Sequence, residues 1–495
     1  MAPLVELQKY LFSVVAVLLA VPHRRVFSRP GWDRGINNDL VVHLNHAGAS
    51  PSPTAVIDRV YEHLLLEQTL GGYAAAKVVE EELRRVYKLT AELICVHDHE
   101  DTWSSPRTDG SDTIALVESA TVAWTRLFYA FVSSLQEQEK KSTVPQKSPK
   151  VILVSEAEYA ANVVAASRWA TTHPDWTVLA IPTKLDAKGA STGKIDTDVL
   201  QAMLDGDYVY KGTVKLNPSR IKLVCVTHVP TNSGVINPVQ DVGQLIAAFN
   251  EKYQNPSYRL PSILYLVDAC QSVGQLPVDV NRIQCHGLVA TGRKYLRAPR
   301  GTGFLYIAHN VCQYVWPHHI DHYGVPVSEV PQQTWSVGTP VEDVLQFAPR
   351  QGASRFEFWE SNVAGKLGLG KAIEHALTVG SSQITDSIVN DLVPYLYQRL
   401  RTMPHVHLYC PPECGIVTFW VDGKDSVDVQ RALWHFDEDG KRFEVSVVPA
   451  TSTPLDSART KAPNLVRVSL SYTTTTQELD LFVDRLSRLF VTDEA

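Results

Sequence analysis

Four short apolar runs constrain this chain more than any other feature. Val151–Ser155, Ile221–Thr227, Ile263–Asp268 and Gly287–Thr291 are rich in valine, leucine and isoleucine, and each closes on a polar or charged residue. Such runs show no alternation between a wet and a dry face, so they read as strands buried on both faces. Segments between them, such as Val239–Tyr253, have helical spacing. Strand–helix alternation predicts a mostly parallel sheet covered by helices. From about Val363 the pattern changes. A long helix over Val363–Leu377 comes first, then strands at Gly415–Val421 and Val466–Tyr472 and a helix over Thr476–Phe490. The expected fold is α/β, with a large, mainly parallel α/β domain over residues 41–350 and a smaller C-terminal α+β domain over 351–495. The segment just after residue 40 is expected to contribute to the small domain. Ser133–Lys150 is polar, charged and proline-containing, and reads as a surface loop or insertion.

Open α/β sheets bind ligands at the carboxyl ends of their strands. Four such places carry chemistry. In Leu116-Val117-Glu118-Ser119-Ala120-Thr121 a strand gives way to a helix near Thr121. A helix N-terminus suits a phosphate, although an ordinary Ser/Thr cap reads the same way. In Val267-Asp268-Ala269-Cys270-Gln271 a carboxylate ends a fully apolar strand. It either caps a turn or faces a cation, for which a protonated pyridine nitrogen is suited. In Thr291-Gly292-Arg293-Lys294 a strand ends in a hydroxyl, an arginine and a lysine. Lys294 is placed to form an imine while Thr291 and Arg293 reach a phosphate, or the segment is a solvated basic loop. Arg467 lies inside a β-patterned stretch, where it either holds a carboxylate in a two-pronged bond or faces solvent.

In order and spacing these residues resemble the class V aminotransferase group of pyridoxal-phosphate enzymes. That group includes cysteine desulfurases, isopenicillin N epimerase-like proteins and hercynylcysteine sulfoxide lyase-like proteins. The resemblance runs from about His43 to Leu489 and implies the fold type I architecture of pyridoxal-phosphate transferases, with a homodimer. It makes Lys294 the imine-forming lysine and Asp268 the partner of the pyridine nitrogen. Gln271 falls near the ring hydroxyl and imine. Ala120 and Thr121 match the phosphate turn, joined by Thr291 and Arg293. Tyr159 stands where a histidine usually stacks on the ring, and is a poorer proton shuttle near neutral pH. Thr231 or Asn232 matches a further ring-hydroxyl contact. Arg467 matches the arginine that binds the substrate carboxylate. Asn45, Ala47 and Gly48 match the N-terminal substrate-side segment.

Two departures bear on the reaction. Many relatives have Gly-Thr after Arg-Phe-Glu, whereas Arg355-Phe356-Glu357 is followed here by Phe358-Trp359-Glu360-Ser361-Asn362. Ser361 or Asn362 is the candidate to replace the threonine that reaches a partner subunit's phosphate. Cysteine desulfurases also carry a nucleophilic cysteine on a loop shortly before the carboxylate arginine. Here that loop reads Val448-Pro449-Ala450-Thr451-Ser452-Thr453-Pro454-Leu455-Asp456. A persulfide mechanism needs a thiolate there. The expected activity is therefore a carbon–sulfur lyase that eliminates from a cysteine-derived conjugate or sulfoxide. Aminotransferase, epimerase and desulfurase activities stand as alternatives, and so does a catalytically dead scaffold subunit.

Of the 495 residues, 20% are charged, with 46 basic and 53 acidic, giving a net charge of −7. That balance offers no electrostatic case for nucleic acid. The seven cysteines show no disulfide-framework spacing and suit a reduced, cytoplasmic setting. Residues 1–40 read as an N-terminal arm or a targeting segment to an organelle or the secretory route. The apolar run Leu11–Val21 within them is too short to span a bilayer as a helix. His318-His319-Ile320-Asp321-His322 imitates a metal cluster but reads as a loop, and no metal is expected.

Overall fold

The computed structural model describes residues 41–96, 109–140, 149–254, 258–329, 336–435 and 440–489. The apolar segment Leu11–Val21 lies outside them. The main sheet contains β2 (Ile114–Val117), β3 (Lys150–Ser155), β4 (Trp176–Ile181), β5 (Ile221–Thr227), β6 (Leu264–Asp268), β7 (Gly287–Thr291) and β8 (Gly303–Ile307), in the order β2-β8-β7-β6-β5-β3-β4. Only β8 runs against its neighbours, so the sheet is mainly parallel, as expected.

Each central strand splits its side chains between two core layers. Tyr265 and Val267 of β6 enter one layer while Leu264 and Leu266 enter the other. In β5, Val224 and Val226 oppose Leu223 and Cys225 in the same way. That is why these strands are apolar throughout: both faces are dry. Helix α1 (Ala120–Lys140) covers one face with Trp124, Leu127, Phe128 and Phe131. Helix α3 (Val239–Lys252) covers the other with Val242, Ile246 and Phe249. Between these two in the chain lies α2 (Ala160–Thr172), which follows β3. Part of Ser133–Lys150 departs from the surface loop expected, and residues 141–148 lie outside the described residues. Residues 133–140 are the last two turns of α1, and Lys150 opens β3. The polar composition reflects a helix face near solvent, while Leu135 of the same stretch is 2% exposed.

Helix α4 (Val363–Val379) leads to a second sheet of β9 (Val406–Leu408), β10 (Ile416–Val421), β12 (Ser446–Val448) and β13 (Leu465–Ser469). It is antiparallel in the order β9-β10-β13-β12. The capped helix α6 (Thr476–Arg488) packs Leu479, Phe482 and Leu486 into the same core cluster that contains Val267 and Leu288. The short strand β11 (Arg442–Glu444) pairs in parallel with the first strand, β1 (Val41–His43). We propose 350/351 as the boundary between the two bodies, with residues 41–44 serving the second.

The chain after β5 passes close under β10. Gly234 has φ +65°, and a Cβ there would lie 2.3 Å from the Ile416 carbonyl oxygen. Gly234→Ala is expected to cost about 2 kcal/mol, from left-handed strain plus that clash. Its check is the urea midpoint of unfolding, at unchanged slope.

Candidate active site

The carboxyl ends of β2, β3, β5, β6 and β7 meet the edge of the second sheet around a cavity of about 230 Å³. Its lining includes Ala47, Gly48, Ala120, Thr121, Tyr159, Thr231, Asp268, Gln271, Thr291, Arg293, Lys294 and Arg467. Twelve of the fourteen site residues expected from sequence thus converge. Asn45 and Asn232 do not line the cavity. The Asn45 amide reaches Glu444 at 3.4 Å, and its oxygen sits where a Cβ on Gly48 would have to go. The Asn232 carbonyl accepts from Thr418 Oγ1 at 2.6 Å. Both are framework around the site, because a neighbouring residue already faces the cavity.

At the phosphate turn, Ser119 Oγ accepts from the Val122 N–H at 3.2 Å and caps α1. The first-turn N–H groups at Ala120 and Thr121 have no acceptor within the helix. They open onto the cavity beside Thr291 and Arg293, a combination suited to a phosphate. Arg293 also anchors the N-terminal segment: its guanidinium donates to the Gly48 carbonyl, and its own carbonyl accepts from the Ser50 N–H at 2.8 Å.

Lys294 is half-buried, with Nζ 3.3 Å from Cys270 Sγ. Burial lowers its proton affinity, and the nearby charges of Arg293 and Arg467 lower it further. Asp268, 6% exposed, ends β6. One of its oxygens accepts from the Cys270 N–H at 2.9 Å and the other from Asn162 Nδ2 at 3.0 Å. Burial pushes its carboxyl above the usual range. Gln271 Nε2 reaches Ala47 O and Thr231 Oγ1, each at 3.3 Å. Its Oε1 is buried without a partner. Arg467 donates to Ser446 Oγ at 3.0 Å and to Thr231 Oγ1. Burial pushes its guanidinium down to about 10.

Sequence reasoning missed Ser119, Asn162, Thr227, Cys270, Val447, Val448 and Ser452, which also line the cavity. Cys270 sits inside the Asp268–Gln271 motif and was within reach. Ser119 likewise sits inside the phosphate-turn motif, and Val448 and Ser452 in the loop that lacks the desulfurase cysteine, whereas Asn162 and Thr227 come from separate elements and share no spacing. Asn362 is occupied elsewhere, since its side chain caps α4 by accepting from the Gly365 N–H at 2.7 Å.

The aminotransferase class-V family model matches residues 138–482. This chain belongs to the aminotransferase class-V family. Over 285 residues it is 29% identical to a probable cysteine desulfurase of Synechocystis sp., covering 56% of this chain and 59% of that one. It is 25% identical over 465 residues to a cysteine desulfurase of Yersinia pestis bv. Antiqua, covering 93% and 96%. Among solved structures, apo cysteine desulfurase from Thermococcus onnurineus NA1 superposes with a TM-score of 0.70 at 18% identity, over 91% of this chain and 95% of that one. The cystine C–S lyase C-DES gives 0.66 at 19% identity, over 90% and 97%. The fold is thus that of the family's cysteine desulfurases.

Class-V enzymes work with pyridoxal phosphate, and this lining fits it. A half-buried amine, a buried carboxylate with no cation among the described residues in hydrogen-bond contact, an unpartnered Gln271 oxygen and a helix N-terminus face one space. The buried Asp268 also sets a pH dependence in the cofactor-free protein. Its folded-state proton affinity is raised, so it favours folding below about pH 4 and loses that contribution as pH rises through its raised value. Asp268→Asn should shrink the fall in thermal midpoint of the cofactor-free protein between pH 4 and neutrality, and should abolish its gain in midpoint on adding pyridoxal phosphate.

Proposed function

We propose that this protein is a pyridoxal-phosphate-dependent carbon–sulfur lyase that eliminates the β-sulfur group of a cysteine-derived amino acid. The carrying observation is a cavity that gathers Lys294, Asp268 and Arg467 while its outer wall, at Val447, Val448 and Ser452, has no thiol. The segment where desulfurases keep a nucleophilic cysteine contains no cysteine here. The curated relatives are named cysteine desulfurases, and one structural neighbour is a cystine C–S lyase, which supports cleavage beside sulfur.

When bound, pyridoxal phosphate supplies an aldehyde carbon that condenses with amines and a ring that accepts an electron pair. The phosphate would rest on the Ala120 and Thr121 N–H groups, with Thr291 and Arg293. Asp268 would hold the ring nitrogen protonated, and Gln271 and Thr231 would meet the ring hydroxyl. Tyr159 would cover one face of the ring from the N-terminus of α2. Arg467 holds the substrate α-carboxylate in a two-pronged bond, in a site dry enough for that bond to discriminate. Its alignment is set by Ser446 and Thr231. Lys294 takes the α-proton. Its lowered proton affinity lets it carry a lone pair closer to neutral pH than an exposed lysine does. With no thiol on the outer wall, the sulfur group leaves toward Val447, Val448 and Ser452.

The loaded protein should be yellow and bleach with borohydride, and should release pyruvate and ammonia from cystine or cysteine S-conjugates. Alanine in place of pyruvate would overturn the lyase reading in favour of a desulfurase. A protein that stays colourless with added cofactor would end the enzyme reading. Lys294→Ala should lower turnover about a thousandfold. Arg467→Ala should lower kcat/KM about 10- to 100-fold.

We also propose a homodimer. The exposed Trp359 lies 6.2 Å from the ring of Tyr73 and 5.6 Å from that of His322, beside a cleft of about 750 Å³ that Ser361 also lines. Such an aromatic patch suits burial by a second copy. Sedimentation should give twice the chain mass of 54.9 kDa, and Trp359→Glu should lower it toward one.

A further inference from the structure

A second carboxylate lies behind Asp268. Glu158 is 0% exposed and accepts four hydrogen bonds: from Ser155 Oγ at 2.6 Å, Asn162 Nδ2 at 2.8 Å, the Thr227 N–H at 3.0 Å and the Thr227 hydroxyl. The amide and the N–H can only donate, so this shell is built for an acceptor. No cation contacts it. Instead the Asn162 amide divides its two hydrogens, one to Glu158 and one to Asp268. Two buried carboxylates therefore share one neutral donor, and among the described residues the cationic side chain acting on Asp268 is Lys294.

We infer that Glu158 is a second, anionic positioning residue for the cofactor, which fixes Asp268 through Asn162 and strengthens its hold on the protonated ring nitrogen. The inference rests on the reading of Asp268 as that nitrogen's partner. Two adjacent buried anions are costly when alone, and a cation presented to Asp268 offsets both. Glu158 feels Asp268 from β6, which raises its proton affinity beyond what burial does. The other titratable groups packed on it are the Cys225 thiol and the Tyr265 phenol, both pushed up by burial and therefore neutral. His228, whose N–H donates to the Asp268 carbonyl at 2.9 Å, is pushed down to about 4 by burial and is neutral too. Among the described residues no cation offsets the Glu158 charge, a role the bound cofactor would fill. Asn162 is a positioning residue by the same geometry.

The test is titration of the cofactor-free protein with pyridoxal phosphate, followed by tryptophan fluorescence, together with the pH profile of the visible band of the loaded protein. Glu158→Gln should weaken cofactor binding about tenfold and lower the pH at which the band titrates by about one unit, as expected for one unit charge removed from behind Asp268. Glu158→Asp, which keeps the charge, should recover most of both. Wild-type affinity and pH profile in Glu158→Gln, or equal shifts for Gln and Asp, would overturn the inference and leave a structural hydrogen-bond hub. If Glu158→Gln does not fold, Thr227→Val removes one donor to Glu158 at nearly constant volume. It should move both readouts in the same direction by less, and no movement would overturn the inference. Failure here is separable from failure of the lyase reading. A Lys294→Ala protein that lacks the borohydride-sensitive band keeps the cofactor assignment even if Glu158 proves inert.

Discussion

Asp268 is a carboxylate at the end of a central strand with no cation in hydrogen-bond contact, and much of the structure answers to it. An uncompensated buried ion costs several kcal/mol. Its backbone is fixed by parallel pairing on both sides, opposite Thr227 on β5 and Val289 on β7. Its side chain is fixed by the Cys270 N–H and Asn162. A group held this firmly in an unfavourable state marks a site that pays for strain in order to bind something positive. The turns at Ala120–Thr121 and Thr291–Lys294 and the guanidinium of Arg467 surround the cavity onto which that charge opens.

The second constraint is the stitching of two sheets across that opening. Residues 41–50 do most of it. Leu44 exchanges backbone hydrogen bonds with Glu444 and Ser469, and the Ala47 N–H reaches Ser469 Oγ at 2.9 Å. The same stretch then crosses to the main sheet, where Ser50 bonds the Arg293 carbonyl and Pro51 accepts from Arg297 at 3.0 Å. A polar chain from Arg467 through Thr231 to Gln271 also crosses the gap. The two halves of the site therefore move as one unless those bonds open.

Much of this was legible in the sequence because it rests on local rules. Doubly buried strands must be apolar throughout, and residues just past their ends must face the ligand edge. Asp268, Thr291, Arg293 and Lys294 were candidates on that ground, and the resemblance chose among their alternative readings. Arg467 needed the resemblance, since an arginine in a strand is ambiguous by itself. Glu158 and Asn162 were not readable. They lie four residues apart across the start of α2, and their meaning appears only when β6 is laid beside β5. Residues 133–140 were misread for the opposite reason: the solvent-side face of a long helix has the composition of a loop. Thr231 and Asn232 could not be told apart, because which of two adjacent residues faces the cavity depends on the turn.

The segment before β13 separates the chemistry of this chain from that of a persulfide-forming relative. A thiol that must travel to the substrate sulfur needs a loop free to move. Here the short helix α5 (Pro454–Thr460) is tied down. Asp456 is fully buried and accepts from Tyr409 OH at 2.7 Å, while Arg459 pairs with Glu156. Glu156 also accepts from the Thr183 N–H at 2.6 Å and lies two residues before Glu158. The helix is thus braced against the strand end that holds Tyr159. With that wall fixed and Val448 and Ser452 the side chains it brings to the cavity, no thiol is delivered from it. Under the proposed chemistry the bond to sulfur breaks because the α-proton has left, and the sulfur departs with its electrons instead of being captured.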